Sequence, residues 1–234
     1  MKMDALTTAF QFEIRYNHIL NFSQIARKIL SPFVRLAKSI RVENQNTLEE
    51  RIILNFEDED YLIIVGWDRL LIKGQGDLSI YTSKNSPIET PFFSILERVQ
   101  ELEEFGSILN ILFAANYIKK IKIKEENLVE NIFAKTVQDG VSKIMKKNTD
   151  FAINIVNKES GDEKIILYGP YSGTEELKRR PITPVNLDNL KDTGFFGAML
   201  EYKHLKITNK IGFKEFIEMT KISNKIKEEV WKTL

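Results

Sequence analysis

The 234-residue chain carries 34 basic and 33 acidic side chains, 43% hydrophobic residues and no cysteine. That length and apolar share suffice for one large core or two small ones, and the missing cysteine excludes disulfides, thiolate chemistry and cysteine-ligated metal. The net charge of +1 is spread evenly, with 16 basic and 16 acidic residues up to Lys124 and 18 and 17 beyond it, so the chain lacks the positive excess of a dedicated duplex binder.

Phe10, Phe12, Ile14 and Tyr16 alternate with Gln11, Glu13 and Arg15, which predicts a half-buried strand. Ile25, Ile29 and Phe33 then recur at helical spacing. Ser31-Pro32 fits an N-cap followed by an N1 proline, so two short helices or one kinked helix are expected over 21–39. A meander follows. Ile52, Leu54 and Phe56 alternate, Glu57 to Asp60 form an acidic turn, and the apolar runs 61–65 and 70–73 flank Gly66-Trp67-Asp68-Arg69 as a hairpin. After Gly74-Gln75-Gly76-Asp77, Leu78, Ile80 and Thr82 predict a short third strand.

Thr90-Pro91 starts the clearest helix, whose buried face is Phe92, Ile95, Leu96, Val99 and Leu102, with Gly106 as its stop. Residues 107–118 are apolar at both parities, as in a strand buried on both faces, and run out into Lys120, Lys122 and Lys124. Val129, Phe133, Val137 and Val141 lie four apart, with Asp139-Gly140 dividing two helices. Phe151, Ile153 and Ile155, then Ile165 and Leu167, flank a turn at 157–162. Residues 169–193, with Gly169-Pro170, Gly173, Pro181 and Pro184, read as a long loop, and Phe196, Ala198, Leu200 and Tyr202 as the last strand. The final helix buries Phe216, Met219, Ile222, Ile226 and Val230, with Lys214–Glu218 and Lys225–Glu229 pairs on its wet face. The fold class is α+β: antiparallel β-meanders with helices packed on one face, as two loosely similar halves, 1–124 and 125–234, in one compact unit.

The chemistry is narrowed more by absence than by motif. Two histidines 186 positions apart, His18 and His204, do not make a zinc site, and the 57–60 run lacks the spacing of a calcium loop. No G-x-S-x-G occurs: Ser172 is followed directly by Gly173, but the preceding glycine is three residues away. Gly74 to Asp77 matches neither a Walker loop nor a dinucleotide fingerprint. No catalytic residue, metal ligand or cofactor is assigned. Two basic clusters remain, Lys178-Arg179-Arg180 in the long loop and Lys119, Lys120, Lys122 and Lys124 at a strand end, either of which could meet phosphates or an acidic partner. Solvated lysines protecting a strand edge are the plainer explanation. Trp67, with Arg69 stacked on it, is a candidate interface on the 61–77 hairpin, which otherwise reads as a corner. The opening ten residues lack the apolar core of a signal peptide, and no run of about 20 apolar residues occurs, so a cytoplasmic location without a membrane partner is expected.

The strand FQFEIRY, the pair YLIIVGWDRLLIK, the helix FFSILERVQEL leading into ILNILFAANYIKKI, and the closing helix FKEFIEMTKISNKIKEEV have a familiar order. In that order the chain resembles a sporadically distributed prokaryotic family of about 250 residues whose function is unassigned. The family's Arg-Tyr-Ile-Asn-like signature is kept here only as Tyr117 and Ile118. The patchy distribution implies mobile elements, antiviral defence or phage, and no catalytic residue carries over. Three functions follow as expectations: a non-enzymatic binding or adaptor protein for a protein partner, a nucleic-acid-binding subunit, or a small-ligand carrier or enzyme with an enclosed pocket. The second predicts that the two basic clusters converge on one face.

Overall fold

The alternation of Phe10, Phe12, Ile14 and Tyr16 becomes the middle strand of a nine-stranded antiparallel sheet in a computed structural model. It describes residues 5–84, 86–122, 124, 127–136, 150–190, 192–209 and 211–233. In chain order the strands are β1 (Ala5–Tyr16), β2 (Ser39–Glu43), β3 (Arg51–Phe56), β4 (Tyr61–Gly66), β5 (Arg69–Gly74), β6 (Ile108–Lys120), β7 (Ile153–Glu159), β8 (Asp162–Tyr171) and β9 (Gly197–Ile207). Across the sheet they lie in the order β2-β3-β4-β5-β1-β6-β9-β8-β7. The sheet therefore crosses the 124/125 boundary without a break, because β6 pairs with β9 from Asn110↔Ile207 to Lys120↔Gly197. The first half contributes six strands and the second half three.

Register explains the core. One row of cross-strand partners runs Ile40, Leu54, Ile63, Ile72, Phe12, Phe113 and His204. Its neighbours supply Phe10, Ile14, Tyr117 and Tyr202 on the same face. Onto this face pack α1 (Phe22–Leu30), α3 (Phe93–Gln100), α4 (Leu128–Thr136) and α6 (Phe213–Lys232), through residues such as Ala26, Ile95, Ile132 and Phe216. Phe216 sits edge-on to Phe12 and Phe113, with ring centroids 5.2 and 6.0 Å away. Each such fully buried side chain contributes about 1.5–3 kcal/mol.

The opposite face is covered in part by the segment that joins β8 to β9, which is read as a loop in sequence. It holds a one-turn helix, α5 (Thr174–Leu177), and buries Leu177 against Ile118, Tyr171 and Met199, and Ile182 against Ala9 and Ala114. Asn116 donates its side-chain amide to the Ile182 carbonyl at 2.7 Å, which holds the strap to the centre of the sheet.

Four local expectations are corrected. Leu78, Ile80 and Thr82 do not form a strand: residues Leu78–Tyr81 form a helical turn, α2, because the Asp77 carboxylate accepts from the Ser79 N–H at its N-terminus. Leu78 and Tyr81 then face inward three apart, and Ile80 points to solvent. The helix expected after Ser31-Pro32 is a run of turns over 31–36 that leads into β2. The Thr90-Pro91 start is a kinked turn with Thr90 extended, and α3 ends at Gln100 rather than beside Gly106. In α6, the buried positions include Thr220, Ser223 and Trp231, whereas Ile222 is exposed. Val137, Val141 and Asp139-Gly140 lie outside the described residues.

Candidate functional site

The hairpin 61–77 is built as a corner and a latch. Trp67 packs against His18, not Arg69, with the ring centroids 4.1 Å apart and the ring planes tilted by 50°. The Arg69 guanidinium turns to the other side of β5, where it donates to Asp68 at 2.6 Å and to Glu13 at 3.2 Å. Partial burial pushes the Asp68 carboxyl up, but the hydrogen bonds and charge of Arg69 outweigh it and hold it below its ordinary value. The buried Tyr16 hydroxyl donates to the Gly66 carbonyl at 2.6 Å, pinning the turn from beneath. Gly74 is where β5 crosses the core aromatics: a Cβ there would lie 2.4 Å from the Phe10 ring. Buried Gln75 donates to the Asn186 carbonyl at 2.6 Å and accepts from the Asn186 N–H at 2.8 Å, fastening the β8–β9 strap to the N-terminal strands. The Gly74-Gln75-Gly76-Asp77 turn thus has a structural task that no short-range motif encodes.

The 119–124 cluster is split between the two faces of the sheet, so it does not converge as a whole with the 178–180 cluster. Lys119 leaves β6 on the α6 side, donating to the Trp231 carbonyl at 2.9 Å near the helix C-terminus, where a cation is favoured. Lys120 follows on the opposite side of the strand, and Lys122 and Lys124 are exposed beyond it. In the strap, Lys178 is paired with Glu175 at 2.6 Å, and Arg180 is held between Glu176 and Glu201. Of that triplet, Arg179 is exposed and has no ion pair among the described residues. Arg179, Arg180, Glu201 and Lys203 line a cleft of about 820 Å³ above β8 and β9, whose acids and bases largely neutralise one another.

His204 is buried, with Nε2 2.9 Å from the Asp162 carboxylate. Burial pushes its pKa below the ordinary histidine value even though Asp162 pulls it upward. The ring is enclosed and tied to Asp162, which fits a packing role. Among the described residues no cluster of three or more His, Asp or Glu is placed to hold a metal ion, and no helix is long and apolar enough to cross a membrane.

The feature that the sequence patterns did not single out is the β2 edge. β2 has a partner on one side only, β3. Its outer side therefore presents unpaired backbone N–H and C=O groups, a template for another strand. Ile40 and Val42 lie on the face that carries α1, and each is 41% exposed. Between them and α1 runs a groove of about 360 Å³. Its apolar surface comes from Leu30, Val34, Ile40, Val42, Ile52 and Leu54, and Arg27, Gln45 and Glu50 lie among its polar residues. Glu50 is buried at the end of the groove and accepts from the Asn46 N–H at 2.6 Å. Six of the twelve exposed large apolar side chains among the described residues fall between Leu20 and Leu48, the segment that contains α1 and β2. The alternation of Ile40 and Val42 with Arg41 and Glu43 is a short period-two signal that could have marked the strand.

No protein-family model, curated protein or solved structure matches the chain.

Proposed function

We propose that this chain is a non-enzymatic binding protein that receives an extended segment of a protein partner along β2. The observation that carries this reading is the coincidence of a free strand edge with an apolar groove on the same side of the sheet. A segment added to β2 would gain main-chain hydrogen bonds from the edge and pockets for every second side chain from the groove. The adaptor role fits the setting implied by the family resemblance, a subunit of a prokaryotic antiviral-defence or phage assembly. A nucleic-acid role has less support, because the β6 lysines divide between the two sides of the sheet and, among the described cations of the strap, Lys178 and Arg180 are paired.

The test is site-specific photo-crosslinking in cells that produce the full chain. A photoreactive residue at Ile40 is expected to capture one protein in stoichiometric yield, whereas the same residue at Ile155 on the opposite edge captures none. Equal or absent capture at both positions contradicts the reading.

A further inference from the structure

The charge around the β2 groove says what kind of segment fits it. From Tyr16 to Val42 the sequence contains five basic residues, Arg27, Lys28, Arg35, Lys38 and Arg41, and no acidic one. Lys38 pairs with Asp58 and Arg41 with Glu43, both at exposed positions where such bridges contribute little. Arg27, Lys28 and Arg35 are exposed and have no carboxylate partner among the described residues. Arg27 stands on the groove wall itself. A fourth cation, Arg98 of α3, lies over the Phe33 ring at 5.8 Å, just beyond α1. The carboxylate that does line the groove, Glu50, is buried and already accepts a backbone hydrogen bond. The site is thus an apolar channel with one cation, Arg27, on its wall and a cationic rim in the segments that flank it, where Lys28 and Arg35 lie next in sequence to its lining.

We infer that the occupant of the β2 edge is an extended acidic segment in which apolar residues alternate with Asp or Glu. This rests on the β2-edge reading above and specifies its chemistry. A strand added to β2 turns alternate side chains to opposite faces. On the groove side they meet Ile40, Val42 and Val34, so apolar residues belong there. On the other side they meet Arg41, which shares that face with Glu43 and, on β3, Arg51, while Arg27 stands on the groove side at α1, so carboxylates fit beside Arg41 and at the flank of the segment that faces α1. Electrostatic attraction of this kind raises the association rate and selects among segments that share the same apolar pattern. A second copy of this chain fits less well. A two-fold pairing sets the same surface against itself, so it would bring one cationic rim against the other. A five-residue strand also offers far less than the roughly 1,200–2,000 Å² that stable interfaces bury. A nucleic acid strand would find no aromatic ring among the groove's lining residues on which to stack a base.

The test uses the ¹⁵N-labelled full chain and two synthetic octapeptides, one alternating Glu with Val and Ile and the other alternating Lys with Val and Ile. In amide-resolved NMR titrations the glutamate peptide is expected to bind at least about tenfold more tightly than the lysine peptide. Shifts should be centred on 39–43, affinity should weaken at higher ionic strength, and Arg27→Glu should weaken it several-fold while leaving the rest of the spectrum unchanged. Equal affinities, no binding by either peptide, or shifts centred elsewhere overturn the inference. So does a concentration-dependent dimer abolished by Val42→Lys, which assigns the edge to a second copy, or tighter binding of oligouridine at the same amides. If crosslinking from Ile40 captures a partner whose captured segment is not acidic, the edge reading survives and this inference alone fails.

Discussion

The two edges of the sheet are built from similar raw material and come out differently. β2 and β7 are both exposed strands with a neighbour on one side only, and both carry two large exposed apolar residues. In β2 these are Ile40 and Val42, two apart and therefore on one face, beside α1. In β7 they are Ile155 and Val156, adjacent and therefore on opposite faces. The backing strands differ as well. β3 places Leu54 fully in the core behind Ile40, whereas β8 backs β7 with Ile165 and Ile166, which are only half-buried. An exposed edge becomes a binding surface when its apolar residues share a face, a second element walls that face, and the strand behind it is rigid. β7 has the exposed edge without the shared face, and its Asn154, Asn157, Lys158 and Glu159 keep it solvated.

The largest effect that would sharpen this contrast is in the backing strands. Leu54→Ala removes a fully buried side chain and should cost about 2–5 kcal/mol, read as a lowered denaturation midpoint at unchanged m-value. Ile166→Ala should cost about half as much or less. If the two were equal, the β2 edge would not stand on the firmer support. Next come the edges themselves. Ile40→Lys with Val42→Lys should abolish partner capture yet change stability by less than about 0.5 kcal/mol, whereas Ile155→Lys with Val156→Lys should leave both unchanged. Loss of binding from the second pair would break the comparison.

The smallest effect is pH dependence. His204 sits in the row behind the β8 side, and burial holds its folded pKa below the unfolded value near 6.5. Below that value the unfolded chain takes up a proton that the folded chain resists, so the folded state binds fewer protons and loses stability as pH falls. Denaturation at pH 7 and at pH 5 should show this acid loss, and His204→Gln should reduce it. An unchanged slope would mean that His204 does not titrate as its burial requires.

Much of this architecture is legible in the sequence. β1, the β4–β5 hairpin, β6 and α6 carry long periodic or continuous apolar patterns, and core packing agrees with them. β2 was hidden for a physical reason. Phe33, Val34 and Ala37 prolong a helical spacing up to Ser39, and only two apolar residues mark the five-residue strand that follows. The Asp77 cap overrode the alternation of Leu78 and Ile80 because one local hydrogen bond decides a segment of four residues. Gln75 could not be read as a latch, since its partner Asn186 lies 111 residues away. Arg180 looked like a free cation for a similar reason: Glu201, which holds it, is supplied by another strand.

On the proposed reading β2, and not β7, is the edge that takes a partner strand. Hydrogen exchange at individual amides, in the free chain and with the glutamate-alternating peptide bound, compares both edges in one sample. Slowed exchange on binding is expected for amides within 39–43, with no change across 153–159. Protection confined to β7, or absent from both edges when the peptide is bound, would contradict it.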